Sequence, residues 1–267
     1  MINNKTIILT GASSGIGFEV LKLLSPEKSN IILAVSRHAE EKLSGFSDNV
    51  IPFTCDISSR EGVDSVFKKA EEVFGGRKID LFYANAGFPY YEEFNYTNWE
   101  RILDIFETNT ISPIYTYAKY LHHLDGREGH LAYTVSAIGQ MAMPGYALYS
   151  ATKFALHGFQ QAIRLEMPNS LKLTCLYPVA TDTNFFKVAA PIDFKKPFPV
   201  QKPEVVARKM VAGLENEKKF VSPSPLFALS KVLMALAPPV RTIYWKLEQA
   251  KLENFKAEIE KLKGIIR

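Results

Sequence analysis

The chain has 267 residues, 47% apolar and 22% charged, with a formal net charge of +4 and two cysteines. This composition excludes disordered, collagen-like and disulfide-scaffold classes, and so small a positive surplus gives no argument for a nucleic-acid partner. Cys55 and Cys175 form neither a CxxC pair nor a zinc-ligand spacing, so no metal is expected. A reducing, cytoplasmic setting with both thiols buried in strands is the simplest reading.

In chain order, short β-branched runs alternate with longer amphipathic ones. Strands are predicted over 6–10, 30–35, 50–54, 79–84, 129–135, 171–176 and 219–221. Helices are predicted over 16–24, 62–74, 99–121, 149–167 and 203–215. No apolar segment precedes the first strand, so no secretory signal is expected. The greasiest stretch, 226–240, is interrupted by Lys231 and broken by Pro238-Pro239. It falls short of the roughly 18 continuous apolar residues that a spanning helix needs. Alternation of strand and helix predicts an α/β fold: a doubly wound parallel sheet of Rossmann type, with its ligand crevice at the strand carboxyl ends. The expected organisation is one dinucleotide-binding and catalytic domain over 1–222 and an amphipathic helical extension over 223–267.

Between the first strand and first helix stands Thr10-Gly11-Ala12-Ser13-Ser14-Gly15-Ile16-Gly17. Glycines there permit a tight turn and close approach of backbone to a pyrophosphate, which the following helix N-terminus stabilises. Asn85-Ala86-Gly87 ends the fourth strand, Asn109 lies in the long helix, and Ser136 stands 13 positions before Tyr149 in Tyr149-Ser-Ala-Thr-Lys153. Together, over about residues 5–221, these motifs resemble the short-chain dehydrogenase/reductase family in its short single-domain branch: GxxxGxG, NAG, the helix asparagine, serine and YxxxK, in family order.

The resemblance implies a catalytic set of Asn109, Ser136, Tyr149 and Lys153. Tyr149 and Lys153 are four apart and share a helix face, and an ammonium beside a phenol lowers the phenol's pKa from about 10. Tyr149 then serves as general acid in ketone reduction or as base in alcohol oxidation. Ser136 holds the substrate oxygen, Lys153 also grips the ribose, and Asn109 supports a water-linked proton relay. Cofactor contacts are expected from Gly11, Ser13, Ser14, Gly15, Ile16 and Gly17, from Asp56 and Ile57, from Asn85, Ala86 and Gly87, and from Pro178 and Thr183, besides Tyr149 and Lys153. After the second strand, where NAD sites place a carboxylate, stand Ser36 and Arg37. Guanidinium suits a 2′-phosphate, so NADP(H) is favoured over NAD(H). Two departures stand out. Val179 replaces the family glycine after Pro178, which puts the local backbone in question, and the glycine-rich ending of tetrameric relatives is absent.

The segment 184–200 is read as a substrate lid rich in Phe185, Phe186, Phe194 and Phe198, with 88–91 and 140–146 as further walls. Little fixed charge faces the tyrosine, so a bulky or extended apolar carbonyl or alcohol is the expected substrate. His122-His123 is read as a surface or packing pair. Residues 240–267 carry seven basic and four acidic side chains, hence most of the net charge. Trp245, Leu252, Ile259 and Ile266 recur every seven residues, with Phe255 and Leu262 between them. That stripe suits docking on its own domain, pairing in a homodimer, or peripheral contact with a membrane. The functional expectation is an NADP(H)-dependent carbonyl reductase or alcohol dehydrogenase. Its competitor is a nucleotide-sensing or membrane-associated scaffold that uses the same fold without turnover.

Overall fold

The computed structural model describes residues 2–266, with side chains as far as Leu262. The body is a seven-stranded parallel sheet in the order β3-β2-β1-β4-β5-β6-β9. Its strands are β1 (Thr6–Thr10), β2 (Ile31–Ser36), β3 (Val50–Thr54), β4 (Leu81–Ala84), β5 (Gly129–Thr134), β6 (Leu171–Leu176) and β9 (Phe220–Val221). A parallel sheet covered on both faces needs apolar residues on both, and every residue of the interior strand β1 is buried. Along it Ile7 and Leu9 enter one core with Val20, Leu21 and Met210, while Ile8 enters the opposite core with Phe82, Tyr120 and Leu131. The first core lies under α1 (Gly15–Leu24), α2 (Ala39–Leu43) and α8 (Pro203–Glu215); the second lies under α3 (Arg60–Val73), α5 (Ser112–Leu124) and α6 (Ala147–Ile163). Strand order reverses between β1 and β4, which opens a crevice at their carboxyl ends.

Three departures from the sequence expectation have local causes. The helix expected over 99–121 is α4 (Trp99–Phe106) and α5 joined by a π-helical turn, Glu107–Ile111, in which the Ser112 amide bonds Glu107 O. Pro113 has no N–H to give the Asn109 carbonyl four residues earlier, so the regular ladder fails there and widens. The expected strand at 79–84 starts at Leu81. The Ile79 amide is held by His123 Nε2 at 3.0 Å and its carbonyl by the Tyr120 hydroxyl at 2.8 Å. His123 is thus a packing residue. Cys175 is buried in β6 as expected, whereas Cys55 lies just beyond β3 and is half-buried.

The lid is built rather than loose. A small parallel pair, β7 (Ala180–Thr181) with β8 (Val200–Gln201), ties its two ends together, and α7 (Phe185–Ala189) occupies its first part. Beyond β9 run α9 (Pro225–Leu236) and α10 (Pro238–Ile266). The α10 stripe faces the sheet-bearing body. Trp245 Nε1 donates to Ala142 O at 2.8 Å, and Phe255 is buried 5.0 Å from Tyr91 and 5.9 Å from Phe194, ring to ring. Leu252 and Ile259 join the same cluster, Leu262 is exposed, and the Ile266 side chain and Arg267 lie outside the described residues.

Candidate active site

The glycine-rich turn is shaped by contact rather than by composition alone. A Cβ on Gly17 would lie 2.2 Å from Gly11 O and 2.5 Å from Asn85 Nδ2, so only glycine lets α1 start this close to the β1 turn. Asn85 then braces three strand ends. Its Nδ2 donates to Thr10 O at 3.1 Å, and its Oδ1 accepts from Thr134 Oγ1 at 2.9 Å. Thr10 Oγ1 in turn accepts the amides of Asn85 and Ala86.

Asn109 sits in the π-helical turn, almost fully buried. Its carboxamide makes a two-way clasp on Phe88, with Oδ1 accepting the amide at 3.0 Å and Nδ2 donating to the carbonyl at 2.8 Å. The clasp holds the segment that follows Asn85-Ala86-Gly87. A Cβ on Gly87 would lie 2.8 Å from Asn109 Oδ1 and 3.5 Å from Lys153 Nζ. The floor of the crevice therefore admits bare backbone there.

On α6, Tyr149 and Lys153 are both buried and face the crevice, the ammonium nitrogen 5.7 Å from the phenol ring centroid. Lys153 Nζ donates to Thr134 O at 3.0 Å. Ser136 follows β5 in a strained conformation with φ of 129°, its Oγ accepting the Ile138 amide, while the Ala137 amide bonds Pro178 O. This posture turns the hydroxyl toward Tyr149. Burial holds the Lys153 ammonium down to about 7. Burial also raises the Tyr149 phenol, while a hydrogen bond with Ser136 pulls it the other way. The phenol is therefore raised rather than lowered as the lysine spacing led one to expect, because desolvation dominates and drives both groups toward their neutral forms. A neutral phenol in that position is able to donate a proton.

A cavity of about 1050 Å³ runs from the end of β2 across the glycine turn to the lid. Of the residues expected to hold a cofactor, Gly11, Ser13, Ser14, Gly15, Ile16, Arg37, Asp56, Ile57, Asn85, Ala86, Gly87, Pro178 and Thr183 line it, together with Ser136, Tyr149 and Lys153. Gly17 and Asn109 stand behind the wall and act through the packing just described. Val179 also lines the cavity; it avoids the positive φ that glycine favours, and its carbonyl accepts from Thr181 Oγ1 at 2.9 Å. The substitution therefore introduces no backbone conflict. Residues missed in the sequence are Lys42, on the short helix after Arg37, and Phe227 and Tyr244, which reach the cavity from α9 and α10.

The model of the short chain dehydrogenase family matches residues 5–191. The chain belongs to the short-chain dehydrogenase/reductase family. As a family member it is an oxidoreductase with a nucleotide-binding Rossmann fold, acting on small molecules. It is 27% identical over 251 residues to estradiol 17-beta-dehydrogenase 11 of Macaca fascicularis, an alignment covering 89% of this chain and 80% of the relative. Two solved structures share the fold. One is an alcohol dehydrogenase of Thermococcus sibiricus complexed with 5-hydroxy-NADP (TM-score 0.70, 24% identity, 82% of this chain and 95% of that one). The other is a 3-ketoacyl-(acyl-carrier-protein) reductase of Brucella melitensis complexed with NADH (TM-score 0.72, 23% identity, 82% and 96%).

The residues of this short-chain dehydrogenase fit a dinucleotide. The floor is bare backbone, and the far end carries Arg37 and Lys42 with the Ser36 hydroxyl buried and unpartnered among the described residues. Those side chains suit an anionic group.

Proposed function

We propose that this protein is an NADP(H)-dependent carbonyl reductase or alcohol dehydrogenase that acts on a bulky or extended apolar substrate. The observation that carries the reading is convergence: Ser136, Tyr149 and Lys153 meet in one cavity that runs from Arg37 and Lys42 to an aromatic chamber. A nicotinamide cofactor, when bound, supplies or accepts the hydride. The Ser136 hydroxyl donates to the substrate oxygen and orients the carbonyl. Tyr149, held neutral by burial, delivers the proton from its hydroxyl to that oxygen in reduction and recovers it in oxidation. Lys153, fixed by Thr134 O, keeps a proton-exchanging nitrogen behind the phenol and would hold the ribose of a bound cofactor. Asn109 positions the Phe88 segment that walls the chamber.

The apolar preference is supported by the chamber itself. Phe88, Tyr146, Phe185 and Tyr244 line it, with Met141 and Met143 beside them. The NADP(H) preference is supported by the two cations at the β2 end. Titration with NADPH and NADH, followed by NADPH oxidation over ketones and aldehydes of graded chain length, tests both. Tight NADPH binding with turnover rising with chain length is expected. Binding without turnover on any carbonyl would instead indicate a nucleotide sensor.

A further inference from the structure

The helices that close the chamber have a second face. On α9, Leu226, Leu229, Val232, Leu233 and Leu236 are all exposed, Leu229 at 67% and Leu236 at 81%. At 100° per residue these five side chains fall within an arc of about 120°, roughly opposite Phe227, which is buried and lines the cavity. On α10, Ile243 and Leu247, one turn apart, are exposed in the same way, while Tyr244 turns inward to the cavity. The exposed face reaches the mouth of the cleft. Tyr244 donates its hydroxyl to Phe198 O at 3.1 Å, and Gln201 Nε2 donates to Pro223 O at 3.0 Å, so lid and helices form one rim. Phe198, 67% exposed, belongs to both the rim and the cavity lining.

Charge sorts the candidate occupants of this face. Residues 218–247 hold five cations and no carboxylate. The next acid, Glu248, is buried and paired with Lys251 at 2.5 Å. The lid adds exposed Lys187 and Lys195 against a single exposed Asp193, since Asp182 is paired with Lys196. Such a leucine-rich face within a basic, acid-free segment matches the interfacial zone of an anionic bilayer. No helix among the described residues is long and apolar enough to cross a membrane, so the contact lies in the plane of the surface.

We propose that the outer face of α9 and the start of α10 docks on an anionic lipid bilayer, with the cleft mouth beside the lipid so that apolar substrate enters from it. The delivery of substrate rests on the reading above; the docking does not.

Flotation of the full chain with phosphatidylcholine vesicles, plain or with about 30% phosphatidylglycerol, tests the docking. Binding is expected on the anionic vesicles and weaker binding on the plain ones. In a Leu229→Glu/Leu236→Glu double variant it should fall at least about tenfold, because two exposed leucines no longer partition. Neither residue lines the cavity, so NADPH oxidation with a short water-soluble ketone should stay unchanged, while turnover of a long-chain ketone embedded in vesicles falls. No affinity of the wild-type chain for anionic vesicles would overturn the proposal. So would binding undiminished in the double variant, or a dimer that the variant dissolves while vesicles go unbound. Flotation reads the surface without any turnover, so a chain that floats yet reduces nothing would count against the catalytic reading alone.

Discussion

Replacing Lys153 with methionine should make the protein more stable while removing its activity. Burial depresses the lysine from its ordinary 10.5 to about 7. At about 1.4 kcal/mol per tenfold in proton affinity, a change of that size destabilises the folded state by about 4 kcal/mol at pH 7. Methionine removes that term and also removes the bond from Nζ to Thr134 O, worth about 1 kcal/mol. The net expectation is a gain of about 3 kcal/mol at pH 7. The sign with pH follows from the protons. Between about 7 and 10.5 the unfolded lysine holds its proton and the folded one releases it. Wild-type stability therefore rises through that window, and the variant lacks this rise. The advantage of Lys153→Met should nearly vanish by about pH 9.5. Buried tyrosines raised by desolvation, Tyr149 among them, weaken both proteins alike above about pH 10. Urea unfolding of both proteins at several pH values between 7 and 9.5 reads the difference directly. A variant no more stable than wild type at pH 7, or a gap that does not change with pH, would refute the reasoning.

Arg37→Glu should lower the preference for NADPH over NADH by about 10- to 100-fold, read from the two dissociation constants; an unchanged ratio would remove Arg37 from 2′-phosphate recognition. Gly17→Ala places a methyl 2.2 Å from Gly11 O. It should lower unfolding free energy by about 2 kcal/mol or more and weaken cofactor binding together, both measurable by denaturation with and without NADPH. Phe255→Ala removes the ring that packs at a steep angle against the directly stacked pair Tyr91 and Phe194. It should destabilise the chain by about 3 kcal/mol and expose α10 to limited proteolysis.

The parallel sheet and the crevice at its carboxyl ends were legible because period-two and period-3.6 patterns are local, and the strand ranges came out within two residues. The catalytic candidates came from the resemblance of the ordered motifs to the family; by itself the Tyr149/Lys153 interval of four reports only that the two side chains share a helix face. The π-helical turn at Asn109 was missed even though Pro113 announces it, since periodicity alone carries the helix through. Protonation was not legible either. Tyr149 and Lys153 at helical spacing suggest a lowered phenol, but their burial is set by α10, the lid and β5, which meet only in three dimensions. The tail stripe left three occupants open for the same reason. Heptad spacing shows that a face will be covered, and only the fold shows Tyr91, Phe194 and Ala142 waiting beneath it.

Single-turnover NADPH oxidation by wild type and Tyr149→Phe, with an extended apolar ketone at saturating cofactor, tests the role of the buried phenol most directly. Loss of the hydroxyl should leave NADPH affinity within a few-fold and slow the reaction at least about 100-fold, the contribution of a positioned general acid. A phenylalanine variant that oxidises NADPH at nearly the wild-type rate would mean that the proton comes from another group.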